Sequence, residues 1–442
     1  MDQSIGERIK ALRKELKLTQ TELAGTEMTK SMLSQIENNQ ATPSMKSLQY
    51  LAKKLGKPLS FFIDGTEYSS NKPAVDLPVE DINKQLNEII SLIKKQEYFI
   101  AQAKLEDLIN SYEYDKSSKL YADIIFRYGQ CLISLEDFDK GEEYIRLSVD
   151  IYMSQHLFAY AARANMELMG RCYSDFQYDK CLNILDESLE MYKHAVNPDN
   201  TLEVEMLYYR ALMKLANASA EEVLTLIQEA LDISKETGTY YNSDELYRLK
   251  AYIYFIMEKF DDFKFCIEKA KQFAEFTDNH INLAKIEILL ALYENTINNP
   301  HNALEHLKKC DMLTNKKRFN YYMNLAYANY LLGDYEAAYE AVKKIEYNSR
   351  SSHKVDYLTM WTGKVYEGLI LHKLHKPEEA FAAINTAMEK LRFFGPSKYL
   401  AFAFESLANI YVELNDYKPA YESLYQAYNI RISLQRQGKI AF

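Results

Sequence analysis

Nine residues between positions 29 and 40 could read nucleic acid. Thr29, Lys30, Ser31, Met32, Ser34 and Gln35 fall on one short helical stretch, and Asn38, Asn39 and Gln40 follow it, within reach of phosphates. A glutamine amide can make paired hydrogen bonds to adenine, and a lysine ammonium reaches guanine acceptors or phosphates. Taken singly, Lys30 and Gln35 read as solvated helix residues. Their setting gives them a DNA role: a short helix, a tight turn and a second short helix can put the N-terminal end of the latter into a major groove. Nothing comparable points to catalysis. The chain has no P-loop, no GxSxG and no HExxH. His372 and His375 are three apart, but no Cys or carboxylate set accompanies them, and they read as a helix surface. No enzyme activity, metal or cofactor is expected.

The elements that must hold the nine residues are legible in residues 1–66. Ile5, Ile9, Leu12, Leu16 and Leu18 have helical spacing. Thr19 offers an N-cap for Gln20–Ala24, which Gly25 ends, and Thr29 offers one for Lys30–Asn38. Pro43-Ser44 opens a fourth helix up to Leu55, Gly56 and Pro58 stop it, and residues 58–63 give a last turn. The stretch GTEYSSNKPAVDLP has no periodic pattern and reads as a linker. The expected organisation is a head over 1–66, a linker over 67–79 and a body over 80–442.

The body repeats. Anchored on a short turn, Tyr98, Phe138, Tyr178, Ala220, Phe260, Pro300, Tyr335, Pro377 and Tyr417 recur at intervals of 40, 40, 42, 40, 40, 35, 42 and 40. Small residues stand nine before the anchor (Gly129, Ala211, Ala251, Ala291, Ala326, Gly368, Ala408) and three after it (Ala101, Gly141, Cys181, Ala303, Ala338, Ala380, Ala420). They let two antiparallel helices approach and the next pair stack. A period near 40 built of helix pairs is a helical solenoid.

Composition agrees. Among 442 residues there are only 13 Gly and 9 Pro, which argues against a turn-rich β protein. The net charge of −10 excludes nucleic acid as a partner of the whole surface. Residues 1–66 carry ten basic and seven acidic side chains, about +3, leaving about −13 on the rest. A head of that charge makes few phosphate contacts alone, so two heads on two half-sites are expected, as a dimer or higher oligomer. No signal peptide or membrane-spanning run is apparent. The five cysteines form no CxxC pair and read as buried thiols of a cytoplasmic protein.

The head resembles the Xre/Cro-type helix-turn-helix domain through Gln20, Leu23-Ala24, Thr29-Lys30-Ser31, Ser34-Gln35-Ile36-Glu37, Pro43-Ser44 and Leu48. The resemblance implies that Gln20 contacts the DNA backbone and that Arg13 and Glu37 form an internal ion pair. It departs in the Gly25–Met28 turn, one residue shorter than the common form. The body resembles tetratricopeptide repeats through LLGDYEAAYEA and LNDYKPAYESLYQAY, with a period longer than 34 residues. The resemblance implies an all-α fold: a helix-turn-helix domain, then a right-handed superhelix of about nine helix pairs with a concave face lined by first helices.

One head before a long repeat array resembles the peptide-pheromone regulators of Gram-positive bacteria, the group containing Rgg, Rap, PlcR, PrgX and NprR, with a layout most similar to that of NprR. This implies quorum sensing: a short signalling peptide in the concave face switches binding to promoter DNA. Positions fifteen, twelve, eight and five before each anchor then supply candidate peptide contacts: Gln130, Arg163, Tyr208, Arg248, Tyr252, Lys285, Asn295, Asn320, Tyr327, Tyr330, Glu405 and Asn409. Asn can pair with peptide N–H and C=O groups, and Arg or Lys can hold a carboxylate. Asn320, Asn409, Arg163 and Arg248 are the preferred four. Two rival readings remain: a repeat protein that binds and inhibits a phosphorelay response regulator, and a peptide-independent repressor scaffold.

Overall fold

In the computed structural model, residues 4–437 are described, apart from 26, 42, 44, 58–60, 63–78, 197–198, 217–218 and 348–352. The linker expected over 67–79 falls almost wholly outside the described residues, as does Ser44. The described residues hold helices and no strand. The fold is all-α, with an N-terminal helix-turn-helix head followed by a helical repeat body.

The head comprises α1 (Ile5–Glu15), α2 (Gln20–Ala24), α3 (Lys30–Glu37) and α4 (Met45–Leu55). Its starts are set by side chains that satisfy orphan N–H groups. Ser4 with Glu7 and Thr19 with Glu22 form capping boxes, and the Thr29 hydroxyl accepts from Met32 N. Gly25 ends α2 at φ 57°, where a Cβ would also meet the Tyr50 hydroxyl at 2.1 Å. Ile9, Leu23, Leu33, Leu51 and Phe62 are fully buried in one core. The shortened turn therefore still lets α2 and α3 share that core.

Nine helix pairs follow among the described residues. They are α5 and α6 (Val79–Lys94, Tyr98–Ser111), then α7 and α8 (Lys119–Ser134, Phe138–Ser154). In the third, the first helix is split into α9 and α10 (Phe158–Met166, Met169–Ser174) before α11 (Tyr178–Tyr192). Next come α12 and α13 (Asn200–Leu215, Ala220–Glu236), α14 and α15 (Ser243–Ile256, Phe260–Phe276), and α16 and α17 (His280–Thr296, Pro300–Leu313). The last three are α18 and α19 (Phe319–Leu331, Tyr335–Val342), α20 and α21 (Lys354–Lys373, Pro377–Leu391), and α22 and α23 (Lys398–Glu413, Tyr417–Gln437). Every anchor residue opens the second helix of a pair. Wherever the residue two before the anchor is described, it has positive φ: Gln96, Glu136, Phe176, Glu258, Asn298, Gly333, His375 and Asn415. That left-handed step ends one helix and turns the chain into the next.

The small positions are where the helices meet. Ala211, Ala251, Ala291, Ala326 and Ala408 are fully buried, as are Ala101, Ala303, Ala338 and Ala380. By contact the chain divides into two compact units, Met1–Arg171 with Asp186–Asn197, and Cys172–Leu185 with Pro198–Phe442. In the second unit, Cys172 and Cys181 are joined in a disulfide with their Cα atoms 6.0 Å apart, which corrects the expectation of five thiols. One cysteine lies late in α10 and the other early in α11, so the intervening turn brings them within bonding range although they form no CxxC motif. Cys131, Cys266 and Cys310 are buried thiols, raised by burial to about 12, 11 and 11.

At Gly368 a Cβ would lie 2.4 Å from Ile384 Cγ1 and 2.9 Å from the Ala380 carbonyl oxygen. Gly368→Val is expected to destabilise the α20–α21 pair by about 2 kcal/mol through overpacking. Thermal unfolding should show a lowered Tm, whereas Gly368→Ala should shift it less.

Candidate functional site

Two sites carry the chemistry. In the head, Leu33, Ile36 and Glu37 are buried, so helical spacing turns Lys30, Ser31, Met32 and Gln35 outward to solvent, with Ser34 half-buried at the edge. Among the described residues, the polar side-chain atoms of Lys30, Ser31, Ser34, Gln35 and Gln40 have no protein partner. The rest of the expected set is engaged. Thr29 caps α3, Lys10 Nζ donates to Asn38 Oδ1 at 2.9 Å, and the Ser4 hydroxyl donates to Asn39 Oδ1 at 2.9 Å.

Gln20 is also occupied: its Nε2 donates to Glu37 Oε2 at 2.8 Å. The Glu37 side chain is fully buried and receives Arg13 Nε at 2.5 Å and Arg13 Nη2 at 2.9 Å, so the expected internal pair is present and bidentate. Burial pushes the Glu37 carboxyl up, but the bonds from Arg13 and Gln20 prevail and hold it below its usual range. Arg13 Nη1 also donates to the Leu18 carbonyl at 2.9 Å. This network ties α1, α2 and α3 together behind the outward-facing edge.

The second site lies in the second unit, on first helices. Glu245 accepts from Arg248 Nε at 2.7 Å and Nη2 at 2.6 Å, and pairs with Lys285. Burial would raise the Glu245 carboxyl, but the two cations outweigh it and hold it at about 2. Asp356, early in α20, feels Arg318, Arg248 and Lys285, yet burial leaves its carboxyl above the usual range. Among the described residues Arg318 and Asp356 make no ion pair or hydrogen bond through their side chains. Tyr208 and Tyr252 sit in the same field, with Tyr399 beside Tyr252. Tyr327 stacks on Tyr366 with centroids 4.9 Å apart and Tyr330 at 6.3 Å, and Phe402 extends the aromatic run.

Four of the expected contacts, Tyr208, Arg248, Tyr252 and Lys285, thus converge, and Tyr327 joins the neighbouring aromatics. Others do not. Asn295 is 3% exposed and its amide donates to the Asn324 carbonyl at 3.0 Å, so it is spent between helices. Asn320 Oδ1 accepts from Tyr321 N, Glu405 holds Arg431 bidentately at 2.6 and 2.9 Å, and Asn409 is exposed. Gln130 and Arg163 belong to the first unit. There Gln130 accepts from Arg127 and donates to Glu167 at 2.6 Å, with Arg163 close enough to weaken the charge on Arg127. Sequence reasoning missed Glu245, although it stands fifteen before Phe260, the same register as Lys285. Asp356, Arg318 and Tyr399 lie seventeen to twenty-one before their anchors, outside the register used.

The second unit closes on itself beside this site. His353 Nε2 donates to the Leu212 carbonyl at 3.0 Å while its Nδ1 accepts from Val355 N at 3.1 Å, an arrangement that requires a neutral ring. Lys354 Nζ donates to the Ala216 carbonyl at 3.2 Å, and Lys354 N to the Tyr178 hydroxyl at 2.6 Å. Phe176 packs edge-on to Phe394 and Tyr357 at 5.0 and 5.6 Å. The closure sets Asp356, three residues on from His353, towards Arg248 and Lys285.

The helix-turn-helix family pattern matches residues 9–62, and a tetratricopeptide-repeat pattern matches residues 122–152. The chain belongs to the helix-turn-helix regulators and carries a tetratricopeptide-type body behind its head. It is 30% identical over 126 residues to an immunity repressor protein of Bacillus phage phi105, covering 25% of this chain and 83% of the repressor. Its fold is similar to the apo form of the quorum sensor NprR from B. thuringiensis, at 13% identity and a TM-score of 0.52, over 80% of this chain and 99% of that one. PlcR of Bacillus thuringiensis, solved with a peptide and DNA, is also similar, at 19% identity and a TM-score of 0.39, over 64% of this chain and 99% of that one. No helix among the described residues is long and apolar enough to cross a membrane.

Removing the Glu37 carboxylate by Glu37→Ala strands Arg13, which is 12% exposed, and is expected to destabilise the head by about 3 kcal/mol. Thermal unfolding of the variant should show a lower head transition. His353 gives a pH prediction. Burial lowers its pKa to about 4 from an ordinary 6.5. The unfolded ring gains its proton near 6.5 and the folded ring only near 4. The closure is therefore complete above pH 6.5 and loses up to about 3 kcal/mol as pH falls to 4. Trp361, whose ring lies 5.0 Å from Tyr347 and 6.2 Å from Tyr357, reports this by fluorescence. The acid step should disappear in His353→Gln, which cannot titrate; the raised Asp356 carboxyl acts in the opposite sense and remains in both.

Proposed function

We propose that the protein is a DNA-binding transcriptional regulator switched by a short peptide held in its repeat body. The observation that carries the reading is the outward edge of α3. Among the described residues, Lys30, Ser31, Ser34 and Gln35 have no protein partners, on a head whose own polar network is closed behind them. That edge has the chemistry to read base edges and phosphates in a major groove. A head of about +3 supports two copies on two half-sites, and such a regulator works in the cytoplasm.

The converging site in the second unit supports the peptide. Arg248, Lys285 and Arg318 face Glu245 and Asp356, leaving one positive charge in excess beside tyrosines. Such a centre suits a carboxylate at one end of a short peptide, with aromatic rings for its apolar side chains. Because Asp356 is positioned by the His353 closure, a ligand that pairs with Arg318 or displaces Asp356 bears directly on how the second unit closes.

The triple substitution Lys30→Ala, Ser31→Ala, Gln35→Ala tests the reading. Against DNA fragments selected by the unaltered protein, affinity is expected to fall by at least about tenfold. Unchanged affinity in a mobility-shift titration at fixed salt would contradict it and favour a repeat scaffold that meets a protein partner.

A further inference from the structure

The bonded cysteines occupy two positions that the repeat otherwise fills with packing residues. Cys172 stands six before the anchor Tyr178 and Cys181 three after it. In the fifth and eighth pairs the same positions hold Tyr254 with Phe263, and Leu371 with Ala380, each couple sharing one apolar cluster. Only the third pair places two thiol-bearing residues there. What the bond encloses is the closure of the second unit. Tyr173, Phe176 and Tyr178 lie between the two cysteines, which are nine positions apart. The Tyr178 ring is 5.2 Å from the His353 ring, and its hydroxyl accepts from Lys354 N at 2.6 Å. Tyr173 is 6.2 Å from the same imidazole, and Phe176 packs on Tyr357 and Phe394. All of these residues belong to the second unit. A cross-link across so short a loop removes freedom that the open loop must give up each time it docks.

We propose that Cys172 and Cys181 form a reversible redox site, oxidised by hydroperoxides and reduced by dithiols, whose bonded state holds the closure of the second unit and whose dithiol state loosens it. Cys172 is 6% exposed against 0% for Cys181, so it is the sulfur a small oxidant reaches first. Its thiolate attacks one oxygen of hydrogen peroxide, the O–O bond breaks, and water leaves once the departing hydroxide is protonated. The resulting sulfenic acid is then attacked by Cys181: the S–S bond forms, the S–O bond breaks and a second water leaves. Two thiols lose two electrons and two protons, and one peroxide becomes two waters. A dithiol returns both by exchange and is itself left as a disulfide. The other cysteines take no part, because Cys131, Cys266 and Cys310 are separate buried thiols held protonated at neutral pH. In a cytoplasmic regulator such a bond is a response to oxidant rather than a fixture. That setting comes from the reading above, whereas the bond and its hold on the closure are independent of it, and the test uses neither DNA nor peptide.

Full-length protein is treated with hydrogen peroxide or with saturating dithiothreitol and freed of the reagent. One portion is denatured and labelled with N-ethylmaleimide for intact mass; the other is melted and its Trp361 emission recorded. Five labels are expected after dithiothreitol and three after peroxide, since the bonded pair does not react. The reduced form is expected to melt about 5 °C lower, with shifted Trp361 emission, and dithiothreitol should reverse the effect of peroxide. Cys181→Ala puts at this position the residue that Ala303 and Ala380 supply in other pairs, so it should fold. It should melt like the reduced form, with the same emission after either treatment. Five labels after peroxide would overturn the proposal, because no bond forms. Three labels after dithiothreitol would do so too, because the bond is then permanent. Correct labelling with identical melts and emission, or an emission change that persists in Cys181→Ala, would refute the link to the closure.

Discussion

Everything in the body depends on the close approach of two helices at small residues. Where alanine or glycine stands nine before the anchor and three after it, the two helices of a pair can touch almost backbone to backbone. That contact fixes which side of each first helix is left for other work. Because the same contact recurs pair after pair, residues at fixed distances before the anchor fall on one surface, and side chains from separate pairs can meet there. Arg248 and Lys285 reach the same carboxylate of Glu245 from consecutive pairs for this reason.

The head solves a different problem. Among the described residues the outward edge of α3 leaves polar atoms without protein partners, which a small domain tolerates only if the rest is over-determined. The buried Glu37 carboxylate supplies that determination by holding Arg13 and Gln20 at once. A residue that looks from sequence like a DNA contact, Gln20, is therefore part of the support. In the body the analogous role falls to His353, whose neutral ring bridges residues more than a hundred positions apart and orients Asp356.

The helices, their caps at Thr19 and Thr29, the nine pairs and the Arg13–Glu37 pair were legible because each rests on local spacing or on a resemblance carried by quoted residues. The left-handed step before each anchor was not, since only Gly333 among those positions is a glycine; the others adopt it because two packed helices impose it. Asn295 shows the limit of register reasoning. The register makes it a candidate contact, but it is buried and its amide is bonded to Asn324, just as Ile133 and Leu215 at the same register position are buried. The closure through His353, the Cys172–Cys181 bond and the role of Asp356 arise from contacts between distant pairs, or across a turn, for which a periodic pattern has no signal.

The central claim is that a peptide in the repeat body changes how the protein holds DNA. The most direct measurement is native mass spectrometry of the full-length protein with the peptide-sized fraction of medium from cells that express it, followed by DNA titration of the loaded and unloaded forms. The account predicts an adduct of a few residues, lost on Arg318→Ala with Arg248→Ala, and a DNA affinity that differs between the two forms. An absent adduct, or an adduct that leaves DNA affinity and subunit count unchanged, would contradict it.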